Sequence, residues 1–417
     1  MRKILHSDLN NFYASVECLI NPELAGFPVV VCGRVEDRHG IVLAKNMIAK
    51  NAGVKTGMVL YEAKNLCPNL KCVVAHHDLY LKYSRAVKDI YREYTDRVES
   101  FGIDEAWLDV TDCKRQGGDA EKIANEIRER IKKEIGLTVS VGVSFNKVFA
   151  KLASDMKKPD AVTVVSLDNF REVVWPLPVG DLLYVGRATR HKLADLAIKT
   201  IGDLANFDEK FLVQKFGKVG SMLSRYARGE DTETVKTKDE LAAIKSIGNS
   251  LTYYRDIKTD QDAFALITLL AESVATRMSM YGYKMARTVH LTIITNELKY
   301  INRMKKMHPT GLADEIATNA FKLFKNNFNW GRSLIRGLGV SVSDFCEEEQ
   351  LSLDSFGSKI EKKKTLQNTI ENLRSRYGRT IINKAIILAD EKMKNLDIVG
   401  SHYGNIGKQV KKGNNES

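Results

Sequence analysis

Three acidic side chains in two separated stretches could bind a divalent cation. Asp104 and Glu105 are adjacent within residues 103–110, whose other members are mostly apolar and favour a β-strand, and Gly102 predicts a turn just before it. Asp8 stands at the end of a second short apolar strand. Anionic groups on a largely buried strand are costly unless a cation compensates them, and carboxylates suit hard magnesium ions, two of which can bracket a phosphoryl transfer. The alternative for Glu105 is a side chain that points to solvent.

The elements that must position these acids can be predicted from apolar spacing. A strand over residues 4–7 leads to Asp8, and a helix follows with Phe12, Val16, Leu19 and Ile20 on one face. Strands interleaved with helices predict a mixed sheet backed by helices. The further strands are predicted over residues 28–32, 41–44 and 137–143, and the further helices over residues 46–51, 79–94 and 119–135, with Asp119 as the N-cap of the last.

Length, charge and cysteine usage narrow the class of protein. A chain of 417 residues exceeds what one core holds, so two or more domains are expected. The net charge of +12 and the pI near 9.2 favour nucleic acid as partner, with a basic protein lacking a polyanion partner as the alternative. The six cysteines lack metal-ligand spacing, which predicts reduced thiols and a cytoplasmic location. No apolar run approaches the ~18 residues of a membrane span, so no membrane association is expected.

Four stretches in combination resemble one enzyme family. They are residues 8–17 (Asp-Leu-Asn-Asn-Phe-Tyr-Ala-Ser-Val-Glu), 102–105 (Gly-Ile-Asp-Glu), 141–147 (Val-Gly-Val-Ser-Phe-Asn-Lys) and 150–159 (Ala-Lys-Leu-Ala-Ser-Asp-Met-Lys-Lys-Pro). With these motifs the chain resembles the Y-family translesion DNA polymerases of the DinB and UmuC group. The second motif is a variant of the family's Ser-Ile-Asp-Glu, with glycine in place of the serine.

The resemblance implies a right-hand polymerase, which is a multidomain α/β and α+β fold. Charge-rich residues 228–240 suit a linker, and in residues 241–345 strand patterns at 286–295 and 336–342 alternate with helical patterns at 263–280 and 312–326. The implied domains are a palm (1–25 and 75–165), small fingers (26–74), a helix-hairpin-helix thumb (166–230), a linker (231–240), an α/β little finger (241–345) and a C-terminal tail (346–417).

The resemblance also assigns roles around the acids. Asp8, Asp104 and Glu105 would be the catalytic residues and would hold two Mg²⁺ ions, with the Leu9 carbonyl as an additional ligand. Lys158 matches the family lysine that meets the triphosphate of the incoming deoxynucleoside triphosphate; otherwise it is a charged loop residue.

Nucleotide selection is expected to involve two more regions. Tyr13 matches the aromatic residue under the sugar, where a bulky ring leaves no room for a 2′-hydroxyl. Phe12, beside it, is a further nucleotide-contact candidate, with a core position as the alternative. In the fingers, family members carry a tyrosine and an arginine where this chain has Met47 and Lys50. Lys50 keeps the charge but not the bidentate fork, and Met47 has no hydroxyl, so weaker nucleotide affinity is expected.

Contacts to primer-template DNA are expected in the other two domains. Gly186, Arg187 and Arg190 stand at the start of a thumb helix whose backbone N–H groups can face a phosphate. Residues 241–345 carry 14 basic against 8 acidic residues, an excess of six that suits a sheet laid on phosphates. The candidates there, each otherwise a solvated surface residue, are Lys245, Ser246, Arg287, Arg303, Lys305 and Arg336.

The C-terminal stretch carries a short peptide and then an apolar spacing. Residues 350–356 (Gln-Leu-Ser-Leu-Asp-Ser-Phe) resemble the Gln-Leu-x-Leu-Phe peptide by which bacterial polymerases bind the sliding clamp, with two residues before the aromatic. The clamp-binding candidates are Gln350, Leu351, Leu353 and Phe356, and Leu366, Ile370, Leu373 and Tyr377 predict an amphipathic helix after them.

Taken together, the sequence predicts a monomeric, magnesium-dependent, template-directed DNA polymerase that performs translesion synthesis. Short fingers offer few contacts to the nascent base pair, so low fidelity is expected. Two alternatives belong to other classes. One is a catalytically weak DNA-binding accessory that keeps the fold, and the other is a different palm enzyme, such as a nucleotide cyclase, against which the thumb and the basic third domain argue.

Overall fold

In the computed structural model the chain forms two compact units. The first is built from Met1–Val31 with Val42–Leu241, and the second begins at Ala242. The structure describes residues 1–33, 40–237, 239–240, 243–331, 333–347, 357–378 and 380–396.

The first unit contains eight strands and eleven helices in the part of the chain that is described. The strands are β1 (Ile4–Leu9), β2 (Val29–Cys32), β3 (Val42–Lys45), β4 (Lys71–Val74), β5 (Val98–Ser100), β6 (Glu105–Asp109), β7 (Val139–Ser144) and β8 (Val162–Val165). The helices are α1 (Phe12–Ile20), α2 (Met47–Asn51), α3 (Leu60–Leu66), α4 (His77–Arg92), α5 (Ala120–Ile135), α6 (Lys147–Met156), α7 (Phe170–Val173), α8 (Arg187–Ala194), α9 (Ile201–Asn206), α10 (Glu209–Phe216) and α11 (Lys218–Ala227).

A five-stranded sheet in the order β5-β6-β1-β7-β8 carries the acids. β1 runs antiparallel to both β6 and β7, while β7 and β8 are parallel. Successive β1 side chains point to opposite faces: His6 contacts Ser154 of α6, and Ser7 contacts Tyr91 of α4. Helices therefore cover both faces, and every residue of β1 and β7 is buried. Gly142 permits this packing, because a Cβ there would lie 1.9 Å from the Ala150 carbonyl oxygen.

Two local predictions for this region are wrong. Asp104 precedes β6 instead of lying within it, because Gly102 adopts a φ of +94° and turns the chain just before the strand begins at Glu105. Ile20 is 47% exposed and does not share the buried face of Phe12 and Val16, since it is the last residue of α1.

A small three-stranded sheet in the order β3-β2-β4, with α2 and α3, corresponds to the predicted fingers. Asn46 is the N-cap of α2: its side-chain oxygen accepts from the Ala49 N–H. The same oxygen accepts from the Val29 N–H, and the Asn46 amide donates to the Phe27 carbonyl, so one side chain joins α2 to β2.

Helices α7 to α11 form a second hydrophobic core in this unit. The segment that follows α11 is held to the central sheet and its neighbours. Arg2 donates to the carbonyls of Asp231 and Glu233 at 2.8 Å each, and Val235 is fully buried beside Trp107. The Lys147 N–H donates to the buried Asp231 carboxylate. The prediction of a linker over residues 231–240 is thus corrected for its first residues, which pack on the central sheet.

The second unit is an antiparallel sheet with helices on one face. Its strands, in the order β11-β10-β12-β9, are β9 (Ser246–Ile257), β10 (Met285–Thr295), β11 (Tyr300–Thr310) and β12 (Ile335–Cys346). Its helices are α12 (Asp260–Met280), α13 (Ala313–Asn327), α14 (Gly357–Tyr377), α15 (Ala385–Leu388) and α16 (Glu391–Lys394). By length and composition α12 could cross a membrane, but 78% of its apolar window is buried against the sheet and its neighbours, as in a core helix.

The prediction that α14 is amphipathic is wrong. Leu366 and Tyr377 are 61% and 68% exposed, and Leu373 is also exposed. The helix binds its unit through polar side chains instead: Gln367 bridges the Ala313 N–H and the Gly311 carbonyl, and Arg374 pairs with Glu272 at 2.9 Å. Beyond it, Ile387 and Met393 are fully buried in the core of this unit.

Candidate active site

The acids meet at one end of β1 and β6. Asp8 and Glu105 are direct partners in the antiparallel register, so their side chains leave the same face of the sheet side by side. The turn that carries Asp104 is tied to the same strand end, because the Leu9 N–H donates to the Asp104 carbonyl at 3.1 Å. The charge of each of Asp8 and Glu105 acts on the Asp104 carboxyl. The three acids predicted from separate stretches therefore form one cluster.

Lysines from α6 and the loop after it contact two of the acids. Lys158 Nζ lies 2.8 Å from Asp8 Oδ2 and 2.7 Å from Asp155 Oδ1. Lys151 Nζ lies 2.5 Å from Glu105 Oε2. His6, fully buried, has its Nε2 3.4 Å from the same Glu105 oxygen, and its Nδ1 is 2.8 Å from Ser154 Oγ. Glu105 is thus held from two sides and does not point to solvent.

The proton affinities of the three carboxyls differ for identifiable reasons. Burial, together with the charges of Asp8 and Glu105, raises the pKa of Asp104 to about 6. Burial also raises the pKa of Asp8, although the Lys158 ammonium opposes the shift. Burial alone would raise the pKa of Glu105 too, but the contacts with His6 and Lys151 outweigh it and lower that pKa to about 2. A nearby cation would therefore stabilise the ionised forms of Asp8 and Asp104.

The turn that presents Asp104 is held by two residues one helical turn apart on α4. The Ser84 hydroxyl donates to the Ile103 carbonyl, and Lys88 Nζ donates to the Gly102 carbonyl at 3.0 Å. Burial lowers the pKa of Lys88 to about 8, while the Asp104 charge pulls it upward. Helix α4 thereby fixes the two consecutive carbonyls that immediately precede Asp104.

The donor set fits a hard divalent cation in its chemistry. Among the described residues, no three His, Cys, Asp or Glu side chains are arranged as a finished metal site. The reason is visible in the contacts: the Glu105 carboxylate is turned to Lys151, and that of Asp8 to Lys158. Carboxylate oxygens are nonetheless the preferred ligands of Mg²⁺, and the raised pKa values of Asp8 and Asp104 mark a site short of positive charge.

The loop that carries Lys158 is anchored next to Asp8. Asn10 accepts from the Asp160 N–H at 2.9 Å, and its amide donates to Ser140 Oγ at 2.9 Å. The Asp160 carboxylate is paired with Arg128 of α5 at 2.8 Å. Asp160, two residues after Lys158, is thus fixed through its backbone and its side chain. The carboxylates of Asp8 and Asp155 raise the pKa of Lys158 although burial opposes them.

Tyr13 lies in an aromatic stack on the other side of the strand end. Its ring is stacked on Tyr80 with centroids 4.2 Å apart and planes 13° apart. The Tyr80 hydroxyl donates to the buried Glu17 carboxylate, which also contacts His76 Nδ1 at 2.9 Å. Phe12 is 3% exposed in the palm core, the alternative given for it.

The two departures in the fingers lie on α2. Met47 is its first residue and half-buried, and Lys50 is exposed near its C-terminal end. Lys45 of β3 is close enough for the charge of Lys50 to act on it, and burial with that charge lowers the pKa of Lys45. The fingers therefore carry two ammonium groups and no guanidinium on this helix and strand.

The thumb residues stand at an open helix start. Gly186 is the N-cap of α8, and nothing lies within 4 Å of where its side chain would be. Arg187 and Arg190 are exposed. The first N–H groups of α8 and two guanidiniums are thus available to one anion.

The candidates in the second unit do not share one face. Arg303 and Lys305 are register partners of Leu291 and Val289, which point into the core, and Arg303 Nε donates to Asn327 of α13. Both lie on the helix side of the edge strand. Ser246 begins β9 opposite Ser343 on the uncovered face, with Lys245 exposed just before it, and Arg287 and Arg336 are half-buried on β10 and β12.

The uncovered face itself is built from small polar residues. On β9 and β12 the residues directed to this face are glycines, serines and a threonine. On β10 they include Thr288, His290 and Thr292. A Cβ at Gly248 would lie 2.4 Å from the Ser341 Cβ, so the face is smooth by necessity at that point. The residues on β9 and β12 are Ser246, Gly248, Ser250, Thr252, Gly337, Gly339, Ser341 and Ser343.

Three residues that touch the acids or their turn were not predicted from the sequence. These are His6, Lys88 and Lys151. One signal was available for Lys151: it stands in the stretch 150–159, one of the four stretches that carry the resemblance. No comparable signal exists for Lys88, whose place depends on how α4 packs. The clamp-peptide candidates, Gln350 to Phe356, lie outside the described residues.

Comparison with known proteins gives a consistent result. Family models match residues 7–155 (impB/mucB/samB family), 180–231 (DNA polymerase-iota, thumb domain) and 244–355 (impB/mucB/samB family C-terminal domain). The chain is 51% identical over 399 residues to DNA polymerase IV of Acetivibrio thermocellus, covering 95% of this chain and all of that protein. It is 38% identical to DNA polymerase IV of Moorella thermoacetica (92% and 96% covered) and 37% identical to DNA polymerase IV 1 of Bacillus subtilis (94% and 95%).

Solved structures agree on the fold. A Y-family DNA polymerase chimera of Dbh and Dpo4 matches with a TM-score of 0.73 at 23% identity, covering 83% of this chain and all of that one. An insertion ternary complex of Dbh DNA polymerase matches over the same shares with a TM-score of 0.57.

Proposed function

The chain belongs to the impB/mucB/samB family of Y-family DNA polymerases, and from that premise we propose that the cluster of Asp8, Asp104 and Glu105 is its catalytic centre. The protein is a DNA-directed DNA polymerase that performs translesion synthesis, with primer-template DNA and deoxynucleoside triphosphates as its substrates. The observation that carries the assignment of the centre is the register pairing of Asp8 with Glu105, which brings together two acids 97 positions apart.

Enzymes of this family depend on a divalent metal, and we propose two Mg²⁺ ions held by Asp8, Asp104, Glu105 and the Leu9 carbonyl. When bound, the ions neutralise charge on the triphosphate and lower the pKa of the primer 3′-hydroxyl. The chain's own contribution is position and charge. β1 and β6 fix two carboxylates side by side, and the α4 contacts fix the turn of the third. Glu105 stays ionised because His6 and Lys151 hold it, so it is a permanent anionic ligand.

We propose that Lys158 exchanges its contact with Asp8 for the incoming triphosphate. The Lys158 side chain is 28% exposed, and its ammonium already contacts a carboxylate that a bound cation would take over. Replacing Lys158 by methionine is expected to raise the KM for deoxynucleotide by about tenfold to a hundredfold, with a smaller change in DNA affinity, because one charge-assisted contact to phosphate is lost. Steady-state single-nucleotide insertion measures this. An unchanged KM would contradict the assignment, and Lys133→Met, an exposed lysine of α5, is the matched control.

Tyr13 is proposed to exclude ribonucleotides, and Lys50 to meet the triphosphate from the fingers. Tyr13 is supported by its stacking on Tyr80, which leaves its ring little freedom to move aside. Lys50 is supported only by its charge and exposure on α2. Because a lysine is a point charge without a bidentate fork, we expect a weaker grip on the nucleotide than an arginine would give.

Two surfaces are proposed to hold DNA. The open N-terminus of α8 with Gly186, Arg187 and Arg190 suits a single phosphate. The uncovered sheet of the second unit suits a sugar-phosphate backbone, since its hydroxyls can donate to phosphate and its glycines allow close approach. Lys245, Ser246, Arg287 and Arg336 remain proposed contacts on or beside this sheet, and Arg303 and Lys305 would reach DNA only around the sheet edge.

We propose that residues Gln350, Leu351, Leu353 and Phe356 bind a sliding clamp, on the strength of the sequence pattern. Replacing Leu351 and Phe356 by alanine is expected to shorten products made with a bacterial clamp loaded on the primed template by about tenfold or more, because the effective concentration that the clamp supplies is lost. Synthesis without the clamp should not change. Product-length distributions on a primed circle measure both, and equal lengths with the clamp would refute the assignment.

A monomer in the cytoplasm is the proposed working state.

Primer extension by the purified protein tests the proposed centre directly. The wild type should extend primers on intact and abasic templates in Mg²⁺, and Asp8→Ala should not, while both should bind primer-template DNA equally. A DNA-binding accessory without catalysis would show the same binding and no extension with either protein.

A further inference from the structure

A lysine ammonium acts on each carboxylate of the acidic cluster, and the three lysines come from different parts of the chain. Lys158, in the loop after α6, contacts Asp8 at 2.8 Å. Lys151, within α6, contacts Glu105 at 2.5 Å. Lys88, on α4, acts on Asp104 through its charge from the opposite side of the sheet. The cluster therefore has as many ammonium groups as carboxylates.

The Lys151 contact is built into the core of the palm. The lysine and Glu105 side chains are 17% and 20% exposed, so little water screens the pair. The Lys151 ammonium also lies 5.1 Å from the centre of the Phe101 ring, at the start of the turn that leads to Asp104. It is accordingly not a mobile surface charge.

Lys88 acts on the third acid, Asp104, through the backbone turn as well as through its charge. It follows Ser84 by four residues, so the two side chains lie on one face of α4. They donate to consecutive carbonyls, those of Ile103 and Gly102, immediately before Asp104. The lysine thus both fixes the turn and places positive charge beside the acid that the turn carries.

These lysines offset the charge repulsion that the sheet register creates between the acids. Asp8 and Glu105 are direct cross-strand partners, and like charges in that position repel. Without metal, three buried or half-buried acids would hold three negative charges in a small volume. Three ammonium groups offset part of that charge, with Lys158 shared between Asp8 and Asp155, and this allows the cluster to stay assembled before any cation arrives.

We infer that Lys88 and Lys151 are positioning residues that act as internal counter-cations of Asp104 and Glu105 and thereby set the divalent-cation concentration at which the site fills. This inference rests on the proposed metal site and adds to it two residues that are not among its proposed ligands. It predicts opposite effects in the two states of the enzyme. Loss of either ammonium leaves the empty cluster with unbalanced negative charge, and the same charge attracts a divalent cation more strongly.

The test measures Mn²⁺ binding and thermal unfolding of the full chain without DNA. Lys151→Met keeps the length and apolar stem of the side chain. It is expected to bind Mn²⁺ about tenfold more tightly than wild type by electron paramagnetic resonance titration, and to unfold about 5 °C lower in EDTA but within a degree of wild type in saturating Mg²⁺. Lys88→Met should change both quantities in the same directions. The arginine variants at both positions, which keep the charge, should resemble wild type.

The controls separate the possible failures. Lys82→Met, an exposed lysine on α4, should change nothing. Asp8→Asn should abolish tight Mn²⁺ binding. If wild type itself binds no Mn²⁺ that Asp8→Asn removes, the proposed metal site is wrong and this inference fails with it. If wild type binds but both methionine variants bind with unchanged or weaker affinity, or lose the same stability with and without Mg²⁺, the lysines are ordinary structural residues and only the present inference is overturned.

Discussion

Replacing Asp104 by asparagine is expected to reduce nucleotide addition by at least about 10³-fold and, at the same time, to make the metal-free protein more stable. The activity falls because one of three proposed metal ligands loses its charge. The stability rises because the native site holds Asp104 in a place where its ionised form is disfavoured, with Asp8 and Glu105 beside it. Asparagine keeps the shape without the charge. Single-turnover insertion and chemical denaturation in EDTA measure the two effects.

The stability gain of this variant should depend on pH in a defined direction. The pKa of Asp104 is raised to about 6 in the folded state, so a bound proton stabilises the fold. That contribution is complete below the ordinary pKa near 3.9 and is lost as the pH rises through about 6. The shift corresponds to a free energy of unfolding of about 2 to 3 kcal/mol. Asp104→Asn should therefore match wild type near pH 4 and exceed it at pH 7 and above. A gain of the same size at both pH values would contradict this account.

Replacing Tyr13 by alanine is expected to lower the preference for deoxyribonucleotides over ribonucleotides by at least about 100-fold, since the proposed block is steric and the variant removes the ring that would cause it. The ratio of kcat/KM values for a matched deoxyribonucleotide and ribonucleotide measures the effect. Insertion of the deoxyribonucleotide should fall by much less, because the role proposed for the ring is to exclude a 2′-hydroxyl that this substrate lacks.

The neighbouring Tyr80 supplies a control for that experiment. Its ring supports Tyr13 face to face, and its hydroxyl is held by Glu17. Tyr80→Phe keeps the ring and loses only the hydroxyl contact, so ribonucleotide exclusion should persist. A Tyr13→Ala enzyme that still rejects ribonucleotides as wild type does would remove Tyr13 from this role.

The sequence predicted the acids better than their surroundings. Asp8, Asp104 and Glu105 stand in motifs of distinctive type and spacing, and the strand that carries Asp8 has a clear apolar pattern. The position of Asp104 before β6 depended on the φ of Gly102, which an apolar count cannot reveal. Lys88 reaches the site only because α4 packs across the sheet, a tertiary event with no local signal.

Strands with unusual surroundings were also missed. β11 lies at the sheet edge, and its exposed basic residues break the alternation that marks a half-buried strand. β9 contains Gly248 and two serines, Ser246 and Ser250, because it borders a smooth open face. The opposite error occurred in α14, where apolar spacing predicted a buried stripe but hydrogen bonds from Gln367 and Arg374 make the contact. Apolar periodicity predicts the burial of apolar side chains but gives no information about a helix that is held by polar contacts.

The return of the chain to the second unit after β12 limits what the stretch between them can do. β12 ends at Cys346 and α14 begins at Gly357, and both elements are fixed to the same unit, the latter through Gln367 and Arg374. By covalent length alone, no residue between these two ends can be farther than roughly 20 Å from both of them, at ~3.3–3.6 Å per residue. Any partner that binds this stretch must therefore lie close to the surface of the second unit, whereas a free chain end could reach a more distant partner.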